Sequence, residues 1–300
     1  MRPKHSSAGI TLVVHGGSGN IPESEHAAHR EGVIGALNHA WPMLQAGKSA
    51  LDVVEAAVCF LEDYPAFDAG RGSCINRAGF VELDASIMDG SELSYGAVAG
   101  MRSIRNPVRA ARKVLESEYT FLVGEGAREF ALDAGLESCP EEWFQVEREI
   151  QRWRECSKEE PTAPAGPRGT VGAVARDSNG RLAAATSTGG PPCKPPGRVG
   201  DSPLIGAGLY AEDNVAAISV TGRGELLTRL LWSYRATLLV QGGMPAPAAA
   251  EAAVSFLGRL KAYGGIIIVD GDGRPGAAFN TQYMAYGIRM DNGEPDRISP

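Results

Sequence analysis

Most residue sets that perform catalysis in proteins are incomplete in this chain. It has no G-x-x-x-x-G-K-[ST] phosphate-binding loop, and the glycine-rich "HGGSGN" lacks the last glycine of a dinucleotide-binding fingerprint. "HGG" also occurs in the oxyanion loop of α/β-hydrolases, but no G-x-S-x-G nucleophile motif accompanies it. All five histidines lie between His5 and His39, so an imidazole base would have to be His15 or a histidine of the first helix. The sequence therefore favours chemistry without a histidine base.

Thr170 offers such chemistry. A Pro-rich segment over about 156–169 leads directly into "TVGAVARD", which has the pattern of a buried strand. If the chain were cut after Gly169, Thr170 would carry a free α-amine, whose unperturbed pKa of about 7.7 to 8.0 suits a general base at neutral pH. Its hydroxyl would be the nucleophile. The flexibility of Gly169 would let that hydroxyl attack the preceding carbonyl. Gly-Thr before a strand also fits an ordinary strand start, so spacing alone leaves both possibilities open.

Eight further stretches carry a resemblance over nearly the whole chain. They are "VVHGGSG", "FDAGRGS", "ELDASIMDG", "NPVRAAR", "GTVGAVARD", "AAATSTGG", "GRVGDSPLIGAGLYA" and "TGRGE". With them the chain resembles the plant-type L-asparaginase and isoaspartyl peptidase family of N-terminal nucleophile hydrolases. The resemblance implies a single catalytic domain that cleaves itself between Gly169 and Thr170 into chains 1–169 and 170–300. It also implies hydrolysis of L-asparagine and of β-aspartyl dipeptides.

The resemblance assigns the reacting groups. Thr170 would be the nucleophile, and Thr188 of "TSTGG" would lie beside it and assist its hydroxyl by hydrogen bonding. Thr221 and Gly222 of "TGRGE" would form the oxyanion hole and contact the substrate.

The resemblance also assigns the groups that bind the substrate head. Arg198 would bind the α-carboxylate through its planar guanidinium, and Asp201 would pair with the α-ammonium. Gly224 would approach the ligand closely.

Two further features concern the segment before residue 72. The resemblance implies no cofactor for catalysis but a structural sodium ion bound by main-chain carbonyls. Its ligands would be Leu61, Glu62, Tyr64, Phe67, Ala69 and Arg71. Near the nucleophile, Asp68 stands where the family usually has asparagine, and an ionised carboxylate there would lack the hydrogen-bond donors of the amide. The replacement would slow self-cleavage, raise the pH at which the Thr170 amine loses its proton, or be benign.

The predicted elements form a layered α+β sandwich. Residues 170–188 have the pattern of a β-hairpin turning at "SNG", and "GDG" marks a second hairpin. Helices are predicted over 141–155, about 225–241 and 247–260. Strands in adjacent hairpins with paired helices outside favour a sandwich over a βαβ alternation, and the resemblance implies the four-layer αββα form.

The composition of the chain excludes two classes of expected partner, nucleic acids and membranes. Of the 300 residues 43% are hydrophobic, the net charge is −7, and no basic run occurs, so nucleic acid is not an expected partner. No apolar run of about 18 residues occurs and the N-terminus lacks signal-peptide features, so we expect no membrane association. Five scattered cysteines without a C-x-x-C pair predict reduced thiols. Together these favour a cytoplasmic enzyme with small-molecule substrates, and the resemblance implies a homodimer of cleaved units.

Three alternatives stay open. A glycosylasparaginase-like or a threonine-aspartase-like hydrolase would share the fold, but those branches carry aspartate before the threonine, so Gly169 favours the asparaginase branch. An uncleaved, non-catalytic protein could bind aspartate through Arg198 and Asp201.

Overall fold

A computed structural model of the chain describes residues 9–156 and 169–299. The strands among these residues are β1 (Thr11–Gly19), β2 (Leu83–Asp89), β3 (Ser94–Met101), β4 (Phe121–Val123), β5 (Val171–Arg176), β6 (Leu182–Thr188), β7 (Leu209–Glu212), β8 (Ala216–Gly222), β9 (Gly264–Asp270), β10 (Pro275–Phe279), β11 (Tyr283–Met290) and β12 (Arg297–Ser299). They form an eight-stranded sheet in the order β12-β11-β1-β5-β6-β2-β3-β4 and a four-stranded sheet in the order β10-β9-β8-β7.

The described residues form nine helices. They are α1 (Glu23–Gln45), α2 (Ala50–Asp63), α3 (Pro107–Leu115), α4 (Gly124–Asp133), α5 (Glu141–Phe144), α6 (Glu147–Cys156), α7 (Gly224–Leu230), α8 (Trp232–Gln241) and α9 (Ala246–Arg259). Seven of the nine helices described, α1 to α4 and α7 to α9, cover the outer faces of the two sheets. No helix among the described residues is both long and apolar enough to cross a membrane.

Three apolar clusters separate four layers. The first lies between α1 to α4 and the larger sheet, the second between the two sheets, and the third between the smaller sheet and α7 to α9. Strand alternation divides the side chains between clusters: on β1, Leu12 and Val14 face the helices, while Val13 faces the other sheet. The predicted αββα sandwich is confirmed.

The layer between the sheets brings β5 and β8 face to face. A Cβ added to Gly172 would lie 2.1 Å from the Ser219 hydroxyl oxygen, so these two positions are in contact across the layer. Two residues towards one end, Val174 and Ala217 pack in the inter-sheet cluster. Because side chains alternate along a strand, the residues two positions towards the other end, Thr170 and Thr221, face the same layer.

The hairpin between β5 and β6 forms where it was predicted. The strands pair antiparallel from Val171↔Ser187 to Arg176↔Leu182. Asp177 closes the turn, because its carboxylate accepts the main-chain N–H groups of Asn179 (2.9 Å) and Arg181 (3.0 Å). β5 also pairs with β1, so it lies in the middle of the larger sheet.

Two predicted helices are divided. The helix predicted over 141–155 is interrupted by Gln145, whose backbone is extended (φ −83°, ψ 127°). The residue before it, Phe144, is buried. The helix predicted over 225–241 breaks at Leu231, which has a left-handed backbone (φ 48°), and the next residue, Trp232, is buried in the third cluster. In both places burial of a large aromatic side chain accompanies the change in chain direction.

The prediction of reduced thiols is wrong for two of the five cysteines. Cys156 and Cys193 form a disulfide with their Cα atoms 6.3 Å apart, inside the usual range. Their separation of 37 residues hides this proximity in the sequence. Cys59, Cys74 and Cys139 are free and buried. The Pro-rich segment predicted over about 156–169 also begins later than expected, because Cys156 is the last residue of α6; residues 157–168 lie outside the described residues.

Candidate active site

The hydroxyl groups of Thr170 and Thr188 are in contact. Thr170 immediately precedes β5 and Thr188 ends β6, so the hairpin register places them at the same end of the sheet. The Thr170 hydroxyl donates to the Thr188 hydroxyl oxygen at 3.2 Å, and that oxygen also accepts the Gly190 N–H at 3.0 Å. Both threonines are buried. The side chain of Thr188 is therefore fixed in an orientation that receives the Thr170 proton.

The Gly169–Thr170 peptide lies against the main chain of Asp68. The Gly169 carbonyl accepts the Asp68 N–H at 3.2 Å, and the Asp68 carbonyl accepts the Gly189 N–H at 3.0 Å. Gly169 has φ +73°, and a Cβ there would lie 2.4 Å from the Asp68 Cβ, so only glycine fits. Gly17 faces it from the other side, since a Cβ on Gly17 would lie 2.4 Å from the Gly169 nitrogen. The carbonyl that self-cleavage would attack is thus held and polarised by a backbone donor.

The Asp68 side chain is buried beside this peptide. Its Oδ1 accepts the Cys74 N–H at 2.7 Å, while Oδ2 has no hydrogen-bond partner among the described residues. Burial raises the pKa of the Asp68 carboxyl well above its usual value; the Cys74 hydrogen bond lowers it, nearby Glu149 raises it and Lys194 lowers it. A neutral carboxyl keeps an O–H donor, as the asparagine amide would keep N–H donors.

Arg198, Asp201 and Gly224 converge on one point. A Cβ on Gly224 would lie 2.6 Å from Arg198 Nη2 and 3.0 Å from Asp201 Oδ1. Asp201 is buried and its Oδ2 has no hydrogen-bond partner among the described residues. Burial raises the pKa of Asp201 to about 7; Arg198 lowers it, and Glu225 and Asp84 raise it. The fold therefore brings together the motifs "GRVGDS" and "TGRGE", so that Arg198 and Asp201 both lie beside Gly224, which has no side chain.

Glu225 is a site residue that the sequence analysis did not single out. Its Oε1 accepts from Arg198 Nε at 3.0 Å and from Arg198 Nη2 at 2.9 Å. This contact occupies the side-on edge of the guanidinium and leaves the edge formed by Nη1 and Nη2 for a ligand carboxylate. Glu225 lies inside "TGRGE", so the motif contained the signal, but its contact with Arg198 depends on the fold.

A second cation stands close to Arg198. Lys194 is buried, and its ammonium group donates to the Glu82 carbonyl oxygen at 3.0 Å. A Cβ on Gly190 would lie 3.2 Å from Lys194 Nζ and 3.4 Å from Arg198 Nη1. Two positive charges therefore flank Gly190, whose N–H also binds Thr188. Nothing in the spacing of "CKPPGR" indicated that this lysine is buried.

Thr221 and Gly222 end β8 in the facing sheet. Strand alternation directs Thr221 into the layer that Thr170 also faces, and its buried hydroxyl has no hydrogen-bond partner within the described residues. Gly222 pairs with Gly264, and a Cβ on Gly222 would lie 2.9 Å from the Tyr263 carbonyl oxygen. Thr221 therefore supplies an uncommitted hydroxyl on the same side as the nucleophile, and Gly222 follows it directly at the end of the strand.

His15 is close to Thr170 but is unsuited to act as a base. The Gly17 N–H donates to its Nδ1 at 3.3 Å, so in the neutral ring the proton is on Nε2, which lies 2.9 Å from the Ser219 hydroxyl oxygen. Burial lowers the pKa of His15 to about 3, against a hydrogen bond with the Thr170 backbone that raises it. The ring is neutral and its acceptor nitrogen is occupied, so His15 has no free nitrogen to accept the Thr170 proton.

Of the six positions predicted to bind sodium, Leu61 and Glu62 lie in the last turn of α2 and the other four lie in the turn that follows it. Here main-chain carbonyls approach one another: a Cβ on Gly72 (φ +96°) would lie 2.6 Å from the Pro65 oxygen and 2.7 Å from the Phe67 oxygen. The Glu62 carbonyl accepts the Arg71 N–H at 2.7 Å. Of the six predicted ligands, Leu61, Glu62 and Tyr64 have carbonyls that accept the N–H groups of Tyr64, Arg71 and Phe67, and sodium binding stays a prediction. Among the described residues no group of three or more His, Cys, Asp or Glu side chains could hold a metal ion.

The fold and the site define a class. An αββα sandwich with a buried threonine at the start of a central strand, its hydroxyl bound to a second threonine, has the architecture of the N-terminal nucleophile hydrolases. Within that class a family model described as asparaginase matches residues 8–297. The chain belongs to this asparaginase family.

The chain is similar to named relatives of this family over most of their length. The chain is 42% identical to an isoaspartyl peptidase/L-asparaginase of Xenopus laevis, with 94% of this chain and 92% of that protein covered. It is 42% identical to an isoaspartyl peptidase of Escherichia coli (93% of each) and 43% identical to a plant-type L-asparaginase of Pyrococcus horikoshii (95% and 98%).

Proposed function

We propose that this protein is an amidohydrolase that activates itself by cleavage between Gly169 and Thr170. It then hydrolyses L-asparagine to L-aspartate and ammonia, and cleaves β-aspartyl dipeptides. The observation that carries the proposal is the Thr170 hydroxyl, bound to Thr188 beside a Gly169 carbonyl that the Asp68 N–H polarises. Membership of the asparaginase family and the names of the relatives support the same activity.

Self-cleavage begins with attack of the Thr170 oxygen on the Gly169 carbonyl carbon. The Thr170 hydroxyl proton passes by way of the Thr188 hydroxyl to the leaving nitrogen, and the Asp68 N–H stabilises the developing negative charge on the carbonyl oxygen. The C–N bond breaks and the nitrogen takes up a proton, which leaves an ester between Gly169 and the threonine oxygen. Water hydrolyses this ester, giving a carboxylate on Gly169 and a free α-amine on Thr170.

The mature reaction uses that amine as the base. It accepts the proton of the Thr170 hydroxyl while the oxygen attacks the side-chain amide carbon of the substrate, and Thr221 with the Gly222 N–H would bind the oxyanion. The leaving nitrogen takes the proton and departs as ammonia or as an amino acid. Water then hydrolyses the acyl-enzyme and releases aspartate.

Substrate selection is proposed to rest on the head group. Arg198 presents its free edge to the α-carboxylate, and ionised Asp201, which lies with Arg198 beside Gly224, pairs with the α-ammonium. An L-aspartyl unit carries the two charges that Arg198 and Asp201 complement, a negative α-carboxylate and a positive α-ammonium. The closeness of Asp68 to Gly169 supports the asparaginase branch, because an aspartate in place of Gly169 would meet the Asp68 backbone.

A sodium ion is proposed to bind main-chain carbonyls of the last turn of α2 and of the turn that follows it. The residues that would hold it are Leu61, Glu62, Tyr64, Phe67, Ala69 and Arg71. Bound there, the ion would stabilise the turn that carries Asp68 to Gly169, and it would take no part in bond breaking.

The division into chains 1–169 and 170–300 would not separate two domains. β1 pairs with both β5 and β11, and β2 pairs with β6, so interior strand pairs of the larger sheet join one product to the other. A homodimer of cleaved units and a cytoplasmic location are proposed from the sequence; the disulfide removes the cysteine pattern as an argument for the latter. Light scattering of the purified protein tests the dimer.

The proposal is tested on the wild-type protein and a Thr170→Ala variant, both incubated at neutral pH and reduced before denaturing electrophoresis. Wild type should give two chains and the variant one. A variant cut at the same bond would refute self-attack by Thr170, and a wild type that stays whole would refute the enzyme. Comparing ammonia release from L-asparagine with amino-acid release from a β-aspartyl dipeptide then ranks the two substrate classes.

A further inference from the structure

The Cys156–Cys193 disulfide spans the proposed cleavage site. Cys156 is the last residue of α6, and Cys193 lies in the loop between β6 and the substrate-binding arginine. The bond closes a ring of the chain whose ends are 37 residues apart in sequence. The Gly169–Thr170 peptide bond lies inside that ring.

We propose that this disulfide keeps the two chains of the mature enzyme in one covalent molecule. Cutting a ring once opens it without dividing it, so self-cleavage would add one water and release no fragment while the disulfide is intact. The proposal rests on the proposed self-cleavage. It makes the pair a thiol-exchange site, whose reduction removes the covalent link, so that the two chains of the cleaved enzyme separate under denaturing conditions.

The two cysteines lie on elements that each contact the rest of the protein independently of the disulfide. On the loop side, the Cys193 N–H donates to the Ile75 carbonyl at 3.0 Å. On the helix side, Glu149 of α6 accepts from Cys74 Sγ at 3.3 Å, and Trp153 packs against Gly79, whose added Cβ would lie 3.2 Å from the ring. Each element therefore keeps its place without the disulfide, and a cysteine variant should fold.

Further hydrogen bonds hold the loop between Cys193 and Arg198 in place. The Lys194 carbonyl accepts the Arg77 N–H at 2.9 Å, and the Gly197 N–H donates to Glu82 at 2.9 Å. These contacts lie between Cys193 and Arg198. Reduction of the disulfide should accordingly change the connection between the chains much more than it changes substrate affinity.

The redox step is a two-electron exchange. A dithiol reductant gives two electrons and two protons to the Cys156–Cys193 bond, leaving two protein thiols and becoming a cyclic disulfide. In the reverse direction the two thiols pass two electrons to a low-molecular-weight disulfide such as oxidised glutathione, which becomes two thiols.

The experiment is intact-mass measurement of incubated full-length protein, alkylated under denaturing conditions with and without prior reduction. Without reductant we expect a single species, heavier than the disulfide-bonded precursor by one water, with three alkylated cysteines (Cys59, Cys74 and Cys139). With reductant we expect two chains and all cysteines alkylated. Cys193→Ser should give two chains in both conditions, and the control Cys59→Ala should behave like wild type apart from the missing thiol.

Two results would overturn the proposal, and they are distinguishable. Two separate chains from unreduced wild type, with Cys156 and Cys193 both alkylated, would show that cleavage occurs without the tether. A mass that never gains water, in reduced and unreduced samples alike, would refute self-cleavage itself and the tether with it.

Discussion

The charge on Asp201 should control substrate capture near neutral pH. Burial raises the pKa of this carboxyl to about 7, so it is neutral below that pH and ionised above it. At pH 6 only about one tenth of the enzyme would carry the negative charge that the substrate α-ammonium needs. The Thr170 amine must also lose a proton, with an unperturbed pKa of about 7.7 to 8.0. Two deprotonations should therefore govern kcat/KM on the acid side.

The expected profile of log kcat/KM has a limiting acid slope of about two in wild type, because kcat/KM reports ionisations of the free enzyme. Asp201→Asn removes one of these ionisations and should leave a slope of about one. Its kcat/KM at pH 8 should fall about ten- to a hundred-fold, since a hydrogen bond to a charged group is worth about 1.5 to 3 kcal/mol. The exposed Asp133→Asn serves as the control and should leave the profile unchanged.

The assay is initial-rate ammonia release from L-asparagine between pH 5 and 9, on protein first shown to be fully cleaved. A full cleavage check is needed because the same pH range could slow activation. An Asp201→Asn variant that keeps the wild-type slope would refute the reasoning, since a group other than Asp201 would then supply the second ionisation. A variant with unchanged kcat/KM at pH 8 would show that Asp201 does not pair with the substrate.

Three further changes test single contacts. Thr188→Val keeps the shape and removes the hydroxyl that receives the Thr170 proton, so self-cleavage and kcat should each fall about two- to ten-fold; Ser187→Ala, on the opposite face of β6, should match wild type in time-resolved reducing electrophoresis. Glu225→Gln should raise KM about fivefold with kcat retained, because Arg198 loses a charged partner; lowered kcat at constant KM would contradict this. Gly169→Ala should slow cleavage, because a methyl group there meets Asp68. Its control Gly135→Ala should cleave at the wild-type rate, because a Cβ added there meets none of the described residues. Both glycines have positive φ, so each variant should also lower the free energy of thermal unfolding by about 1 to 2 kcal/mol.

The sequence, together with its resemblance to the asparaginase family, determined the class of chemistry and the local elements. The absence of a histidine after His39, the Gly169–Thr170 junction before a strand, and the Asp177 turn that closes the β5–β6 hairpin are all readable along the chain. They depend on neighbouring residues and on strand periodicity, which act over short distances. The element pattern also predicted a layered sandwich, because hairpins and amphipathic helices have few ways to bury their apolar faces, and the family resemblance supplied the four-layer form.

Only the tertiary structure decided which distant groups meet. The raised pKa of Asp68 and the neutral ring of His15 come from burial between elements far apart in sequence. Glu225 reaches Arg198 across a separation of 27 residues, and Cys156 reaches Cys193 across 37. Composition and spacing carry no record of such contacts, because burial, charge and thiol pairing depend on which surfaces pack together in space.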